Sequence, residues 1–293
     1  MLNQNIKNDG KVSARIKFAY FGTSNFSVLI LDELKSKGFV PSLIVTTEDK
    51  PKGRKLIMSP SEVKIWAEKE SIDFIQPKSL KTDEVYLKLS TLNFELFIVA
   101  SYGKIIPQNI LDIPMYKTLN VHPSLLPKLR GASPIQSAIL GETETGVTIM
   151  RLDAEMDHGP IIAQQKITIV DWPPYAENLE EISAQTGAEL LANVLPGWIE
   201  GKVIEKEQNH SQATYCKKIQ KSDGELNLND SPDVNLRKIR AYHVWPGAFF
   251  MDDNKRIIVK GAHIENNELV LDRVIPEGKK EMGYKDYLNG KKS

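Results

Sequence analysis

The sequence predicts an α/β protein whose larger part is a mostly parallel sheet and whose smaller, C-terminal part is rich in β-structure. Short apolar runs alternate with amphipathic helical stretches through residues 15–200, an order that is typical of parallel sheets. Residues 201–212 are polar, and residues 213–293 consist mainly of short β-rich runs between Asn, Asp and Gly turns. The length of 293 residues accommodates both parts, because domains commonly contain about 100–200 residues.

The beginning of the chain indicates how the sheet is connected. An apolar run at 16–21 predicts a buried strand, and Gly22 after it permits a tight turn. A helix is predicted at 26–37, where apolar residues recur at three-residue spacing before Gly38. A second strand is predicted at 42–46. Strand, helix and strand in this order form a unit whose two strands are parallel.

Later segments extend the same pattern. Residues 48–58 predict a loop, and the sequence at 59–62 matches a helix-capping box with Ser59 as N-cap, so a helix is expected to run to Glu70. Further strands are predicted at 73–75, 95–100, 118–121, 146–150 and 160–169, and further helices at 83–91, 107–111, 131–140 and 176–199. Together these elements predict a Rossmann-like domain, whose ligands bind at the carboxyl ends of its strands.

Changes in composition predict the domain boundaries. Residues 1–14 are polar and lack the apolar core of a signal peptide, so we expect an N-terminal tail. The main domain is expected at 15–200 and a linker at 201–212. Residues 213–293, with one predicted helix at 234–242, are expected to form a small β-barrel.

Composition also narrows the classes of function. The 38 basic and 38 acidic residues give no net charge, so a nucleic-acid partner has to be argued from local patches. The single cysteine, Cys216, can form neither an internal disulfide nor a cysteine cage for a metal, so we expect a reducing, cytoplasmic location. No apolar run approaches the ~18–20 residues of a membrane span, and no membrane partner is expected.

Three side chains that can stabilise charge or move a proton lie between 118 and 162. Asn120 and His122 are two residues apart on a predicted strand, so they share one face, and Pro123 ends the strand. Asp157 lies in a turn-rich run that parallel topology can bring beside His122. No serine or cysteine nucleophile accompanies them. The pattern therefore favours direct acyl or one-carbon transfer, with Asn120 and His122 stabilising an oxyanion and Asp157 relaying a proton.

The same residues also have structural interpretations. A histidine near a strand end, taken alone, is more often a hydrogen-bonded structural residue, and Asp157 alone is more often a loop cap. Four basic residues at 50–55 ordinarily form a solvated loop. One histidine and one aspartate make a poor zinc site, so no metal is expected. Residue types and spacing alone indicate a transferase-like or hydrolase-like site without deciding between these interpretations.

Several motifs resemble the formyltransferase family that uses 10-formyltetrahydrofolate. The central motif is N-V-H-P-S-L-L-P-x-x-R-G-A-S-P-I-Q at 120–136, followed by M-D-x-G-P-I-I at 156–162. Similar segments lie outside this core, among them D-K-P-x-G-R at 49–54 and P-E-G-K-K-x-M at 276–282. The resemblance covers residues 15–290 and is greatest to the members that formylate methionine on initiator tRNA. It implies a formyltransferase fold and an OB-like C-terminal barrel that binds tRNA.

The resemblance also implies residue roles. The catalytic residues of the family match Asn120, His122 and Asp157, and the implied reaction is direct attack of the methionine α-amine on the folate's formyl carbon, without a covalent enzyme intermediate. His158 departs from the family pattern, in which threonine more often follows the aspartate. The implied folate contacts are Ser124, Leu125, Leu126, Pro127, Ala100 and Tyr102, and the implied tRNA contacts are Lys50, Lys52, Arg54 and Lys55.

Three alternatives to this interpretation differ in what they leave unexplained. The formyltransferase of purine synthesis is typically a single domain and would leave residues 213–293 without a role. Sugar-amine formyltransferases have C-terminal extensions, but the segments at 49–54 and 276–282 favour the tRNA-dependent members. A non-catalytic folate-binding or RNA-binding protein would be expected to lack one of the three catalytic residues. By default we expect a monomer.

Overall fold

A computed structural model describes residues 16–52 and 56–292, with the side chains of Lys52 and Lys292 left out. The predicted tail at 1–14, together with Arg54 and Lys55 of the basic loop, lies outside the described residues. The chain divides into two compact units. The first contains the described residues up to Pro127 together with Gly146–Gln165 and Ser183–Gln212, and the second contains Lys128–Thr145, Lys166–Ile182 and the residues from Ala213 onward.

The elements alternate along the chain as the sequence pattern predicts. In chain order, the strands of the described residues are β1 (Phe18–Gly22), β2 (Leu43–Val45), β3 (Lys50–Lys52), β4 (Ile57–Ser59), β5 (Phe74–Ile75), β6 (Leu96–Ala100), β7 (Thr118–His122), β8 (Arg130–Gly131), β9 (Thr145–Arg151), β10 (Ile161–Ile167), β11 (Tyr215–Cys216), β12 (Phe249–Asp252), β13 (Lys255–Glu265), β14 (Glu268–Pro276) and β15 (Met282–Gly283). The helices are α1 (Asn25–Ser36), α2 (Glu62–Glu70), α3 (Asp83–Thr91), α4 (Gln108–Leu111), α5 (Pro134–Gly141), α6 (Ala176–Ile199), α7 (Pro232–Ala241) and α8 (Tyr284–Lys292).

A seven-stranded sheet has the strand order β10-β9-β7-β6-β1-β2-β5. The pairs from β5 through β2, β1 and β6 to β7 are parallel, which confirms the predicted parallel topology. Strand β9 is antiparallel to β7, with His122 opposite Thr148. The expectation that parallel topology brings Asp157 to His122 is therefore wrong. The polypeptide leaves β9 beside the start of β7, and the loop after β9 reaches back to the end of β7.

One face of this sheet is a continuous apolar layer that ends in polar residues. Phe21 of β1 and Phe97 of β6 are fully buried in this layer, and their ring centroids lie 5.1 Å apart. Because Val99 pairs with Asn120 in the parallel register, Asn120 and His122 continue the same face on β7. The apolar residues of this face thus hold β7, the strand that carries Asn120 and His122, in place in the sheet.

The basic loop and the helix after it differ from their predicted boundaries. The loop forms a hairpin in which β3 and β4 are antiparallel and Lys50 pairs with Ser59. Helix α2 begins at Glu62, and its N-cap is Ser61, whose hydroxyl accepts a hydrogen bond from the Lys64 amide at 3.0 Å. The capping prediction at Ser59 is therefore wrong by two residues, because Ser59 belongs to the hairpin.

The C-terminal part of the second unit contains a four-stranded antiparallel sheet in the order β12-β13-β14-β15. Helix α7 starts at an N-cap, Ser231, whose hydroxyl accepts a hydrogen bond from the Val234 amide. Its Arg237 donates to the carbonyls of Ile139 and Glu142 at the end of α5, each at 2.9 Å, so α7 is anchored to α5 within this unit. None of the helices in the described residues is both long and apolar enough to span a bilayer.

Candidate active site

His122 and Asp157 lie together in the first unit. The distance between His122 Nδ1 and Asp157 Oδ1 is 3.7 Å, and their side chains are only 5% and 14% exposed. The sequence placed these two residues 35 positions apart with no local pattern linking them, and the structure brings them to one point at the end of β7. A buried carboxylate beside an imidazole can orient the ring and exchange a proton with a group bound next to it.

Asn120 is the third member of the site. It is 7% exposed and lies two residues before His122 on β7, so both side chains project from the same face of the sheet. Leu119 and Val121, which alternate with them, project from the opposite face and are buried there. The predicted same-face arrangement of Asn120 and His122 is confirmed by this alternation. Two hydrogen-bonding side chains at one strand end can both face an oxygen that becomes negatively charged.

The loop between β9 and β10 presents Asp157. Asp157 has a φ of 49°, in the left-handed region that aspartate tolerates better than most residues. Within the loop, the His158 ring nitrogen Nδ1 lies 2.7 Å from Asp153 Oδ2, and the Glu155 amide donates to Asp153 Oδ1 at 2.9 Å. A Cβ atom at Gly159 would lie 2.0 Å from the Arg151 carbonyl oxygen, so only glycine fits there. The carboxylate is thus held by a compact turn with several internal contacts.

The segment Ser124–Pro127, for which the sequence implied folate contact, follows β7 directly. The Ser124 amide donates to the His122 carbonyl at 2.9 Å, which turns the chain immediately after His122. Ser124 and Leu126 are buried, and Leu125 is half-buried. The segment therefore lies beside the site and forms part of its wall.

Thr148 and Gln164, which the sequence analysis did not single out, fix this segment. The Thr148 hydroxyl donates to the Ser124 carbonyl at 2.7 Å and accepts from the Leu126 amide at 3.1 Å. Gln164 donates from Nε2 to the Leu126 carbonyl and to the Thr148 hydroxyl oxygen, at 2.8 and 2.9 Å. Thr148 pairs with His122 across β9 and β7, so the two side chains lie on the same face of the sheet, and the hydrogen-bond partners of Thr148 could not be predicted from the sequence.

Ala100 is the last residue of β6, the strand next to β7, and Tyr102 lies two residues beyond it. The Ala100 carbonyl accepts a hydrogen bond from the Ser27 hydroxyl, and the Tyr102 carbonyl accepts one from the Thr23 hydroxyl at 2.8 Å. The Tyr102 hydroxyl is buried and has no hydrogen-bond partner among the described residues. Burial raises the pKa of this hydroxyl above its ordinary value, so the hydroxyl keeps its proton well above neutral pH. An unpaired buried donor fits a polar group of a bound ligand.

Of the four basic residues at 50–55, the structure describes Lys50 and the backbone of Lys52, which lie on β3 of the hairpin formed by β3 and β4. Lys50 is exposed there, and beside it the side chains of Leu56, Ile57 and Met58 are also exposed. At the base of the hairpin, Asp49 pairs with Lys64, with an Nζ–Oδ2 distance of 2.9 Å. Hydrogen bonds from Gln76 and then Lys64 lower the pKa of Asp49. The hairpin and β7, which carries Asn120 and His122, are separate elements of the first unit.

The arrangement of the three catalytic candidates suits reactions in which a bound amine or alcohol attacks a carbonyl carbon directly. Asn120 and His122 can donate hydrogen bonds to the oxygen, and Asp157 can take the proton. In residues 16–52 and 56–292, no group of three or more His, Cys, Asp or Glu side chains is placed to hold a metal ion.

Comparisons with known proteins point to one family. A family model described as formyl transferase matches residues 14–195, and a model described as formyl transferase, C-terminal domain, matches residues 218–269. The methionyl-tRNA formyltransferase of Thermodesulfovibrio yellowstonii is 38% identical over 295 residues, covering 93% of this chain and 95% of that protein. The methionyl-tRNA formyltransferase of Dictyoglomus thermophilum is 39% identical over 305 residues, covering 94% of this chain and 97% of that protein.

Solved structures show the same fold at lower identity. A methionyl-tRNA formyltransferase from Clostridium thermocellum aligns with a TM-score of 0.60 at 17% identity, covering 89% of this chain and 98% of that one. A sugar N-formyltransferase from Shewanella aligns with a TM-score of 0.62 at 19% identity, covering 90% of this chain and 99% of that one. HypX from Aquifex aeolicus in complex with tetrahydrofolic acid aligns with a TM-score of 0.65 at 15% identity, covering 93% of this chain and 47% of that one.

Proposed function

Since the chain belongs to the methionyl-tRNA formyltransferase family, we propose that Asn120, His122 and Asp157 form its catalytic site. The enzyme transfers the formyl group of 10-formyltetrahydrofolate to the α-amino group of methionine on initiator tRNA, which supplies formylmethionyl-tRNA for translation initiation. The observation that carries the proposal for the site is the buried contact of His122 with Asp157 at 3.7 Å, on the same strand end as buried Asn120.

In the proposed mechanism, each residue has one role. The folate supplies the formyl carbon as the electrophile, and the methionine amine attacks it directly, so no nucleophilic side chain is required. Asn120 and His122 donate hydrogen bonds to the formyl oxygen as it gains negative charge. Asp157 takes up the proton that the amine loses and orients the His122 ring. As the bond between the formyl carbon and N10 of the folate breaks, this proton is passed to N10, so tetrahydrofolate leaves and the Asp157 carboxylate is restored. The low exposure of these side chains limits their contact with water and strengthens their electrostatic interactions.

We propose that the folate is held by Ser124, Leu125, Leu126 and Pro127 on one side and by Ala100 and Tyr102 on the other. The apolar residues offer surface for a flat ring, and the unpaired Tyr102 hydroxyl offers a donor for its polar edge. The hydrogen bonds that Thr148 makes with this segment keep it in one conformation before a ligand arrives.

The proposed substrate can be tested by formylation assays with two acceptors. Purified protein with 10-formyltetrahydrofolate and methionine-charged initiator tRNA is expected to yield formylmethionyl-tRNA, measured by acid gel electrophoresis or mass spectrometry. A nucleotide-linked aminosugar is expected to remain unmodified under the same conditions. Turnover of the aminosugar without turnover of the tRNA would instead support the sugar-amine alternative.

We propose that the hairpin and the loop at its tip bind the acceptor end of the tRNA through Lys50, Lys52, Arg54 and Lys55. Cations in a loop suit phosphate contacts, and the exposed Leu56, Ile57 and Met58 offer apolar surface for bases beside them. Residues 213–293 are proposed to bind tRNA as well, in a chain divided into a catalytic domain at 15–200, a linker at 201–212 and this C-terminal domain. We further propose that the enzyme acts as a cytoplasmic monomer.

Replacing Arg54 and Lys55 together by alanine tests the role of the basic loop. The KM for tRNA is expected to rise about 10- to 100-fold, because two charge-assisted contacts are lost. The slope of log KM against log salt concentration is expected to fall by about 0.7–0.9 for each phosphate contact removed. The matched control is Lys69→Ala, which removes an exposed cation from α2 in the same unit. Equal KM values and slopes for the double variant and the wild type would show that Arg54 and Lys55 do not bind the tRNA and that the loop is an ordinary solvated loop.

A further inference from the structure

The segment at 205–208, which the sequence predicts to be part of a linker, is attached to both ends of the loop that carries Asp157. Before the loop, Arg151 donates to Glu205 from Nε at 2.6 Å and from Nη2 at 3.0 Å. After the loop, Ile161 and Lys206 exchange both backbone hydrogen bonds, at 2.8 and 2.9 Å. The segment therefore lies along the loop as an added strand-like support.

Gln208 continues this support into the loop itself. Its side chain is buried, with the residue only 4% exposed. The amide nitrogen Nε2 donates to the Asp157 carbonyl at 2.9 Å and to the Gly159 carbonyl at 2.7 Å. One side-chain amide has two N–H donors, and these two bonds use both of them on the carbonyls of Asp157 and Gly159.

The residues next to Gln208 and Asp157 form a second contact between the same two segments. The rings of His158 and His210 are stacked, with their centroids 4.1 Å apart and their planes inclined by 3°. Residues 157–159 are thus contacted by residues 208 and 210 through side chains in addition to the backbone pairing nearby.

We infer that Gln208 is a positioning residue for Asp157: its buried side-chain amide holds the carbonyls of Asp157 and Gly159 and so fixes the direction of the Asp157 carboxylate. This inference rests on the proposed role of Asp157. Asp157 has a φ of 49°, a conformation that the surrounding structure must maintain, and the hydrogen bond from Gln208 ends on its own carbonyl. Gln208 donates to the backbone of the loop and acts on the reaction through Asp157.

Two substitutions separate hydrogen bonding from packing. Gln208→Ala removes the side chain, and Gln208→Glu keeps its shape but replaces both donors with a carboxylate that cannot donate. For both variants kcat is expected to fall about 10- to 100-fold, because a carboxylate displaced by about 1 Å loses that much rate. The KM for the folate is expected to stay at its wild-type value, since the proposed folate contacts are not moved. The matched control is Asn209→Ala, which truncates an exposed neighbour in the same segment and should keep the wild-type kcat.

A double-mutant cycle distinguishes positioning from general stabilisation. In an Asp157→Asn background, Gln208→Ala is expected to cause little further loss of kcat, because residues that act through one another are not additive. A full additional loss in that background, or wild-type kcat in Gln208→Glu, would overturn the inference.

Amide hydrogen exchange provides a readout that does not depend on activity. In Gln208→Ala, exchange in the peptide spanning 152–160 is expected to rise about 10-fold, whereas exchange in β6 is expected to stay as in the wild type. If Asp157→Asn retains full activity, the proposed role of Asp157 is wrong, and the exchange rates still show whether Gln208 holds the loop. If Gln208→Ala left exchange in residues 152–160 unchanged, Gln208 would not restrain the loop that carries Asp157.

Discussion

Replacing Asp157 with asparagine is expected to lower kcat for formyl transfer by about 10²- to 10⁴-fold, the range that a positioned acid or base usually contributes. Asparagine cannot take a proton from the attacking amine, but it has nearly the shape of aspartate and tolerates the left-handed backbone conformation found at this position, where φ is 49°. The loop should therefore keep its fold while the chemistry is lost. The effect is measured as kcat with saturating folate and tRNA.

The control for this variant has to show that binding survives. Titration with tetrahydrofolate is expected to give the same Kd for Asp157→Asn as for the wild type, since the proposed folate contacts lie on other segments. Asp83→Asn removes an exposed carboxylate from α3 in the same unit and should leave kcat unchanged. Wild-type kcat in Asp157→Asn would remove this carboxylate from the mechanism.

The second large effect is expected for His122. His122→Ala should lower kcat by about 10²- to 10³-fold, the usual result of deleting one donor to a developing oxyanion. The substitution also deprives Asp157 of the imidazole 3.7 Å away, so the remaining carboxylate loses a partner that fixes its direction. His122→Gln keeps an N–H donor on a side chain of similar reach, and its kcat should lie between those of the alanine variant and the wild type.

Folding has to be checked separately for His122, because the side chain is buried beneath the end of the sheet. The thermal midpoint and tetrahydrofolate binding are measured for each variant alongside kcat. A folded His122→Ala protein that binds the folate and turns over at the wild-type rate would show that His122 is structural, as the residue taken alone suggested.

Local patterns predicted the scaffold of the site correctly. Alternation with a period of two placed Asn120 and His122 on one face of β7, and the order of strands and helices predicted the parallel part of the sheet. Helix α6 begins and ends at the predicted residues, Ala176 and Ile199. These features depend on neighbours within a few residues or on the order of elements, and both can be read from the sequence.

Features that depend on distant partners could not be predicted in this way. The strand at 145–151 has an apolar pattern that suits either direction of pairing, and only the assembled sheet shows that it runs antiparallel to β7. Ser59 and Ser61 both suit an N-cap, and pairing of Ser59 with Lys50 in the hairpin leaves Ser61 to cap α2. Gln208 lies in a polar segment whose composition gave no sign that its side chain is buried.

Gln208 follows Asp157 by 51 residues, so the ribosome completes the loop that carries Asp157 well before it adds the residue that supports this loop. At a synthesis rate of about 5–20 residues per second, the delay is roughly 3–10 s. During this time the nascent chain contains Asn120, His122 and Asp157 without the hydrogen bonds that Gln208 makes to the loop. On this basis, every side chain that we assign to the chemistry is synthesised before the loop that carries Asp157 gains the support of Gln208.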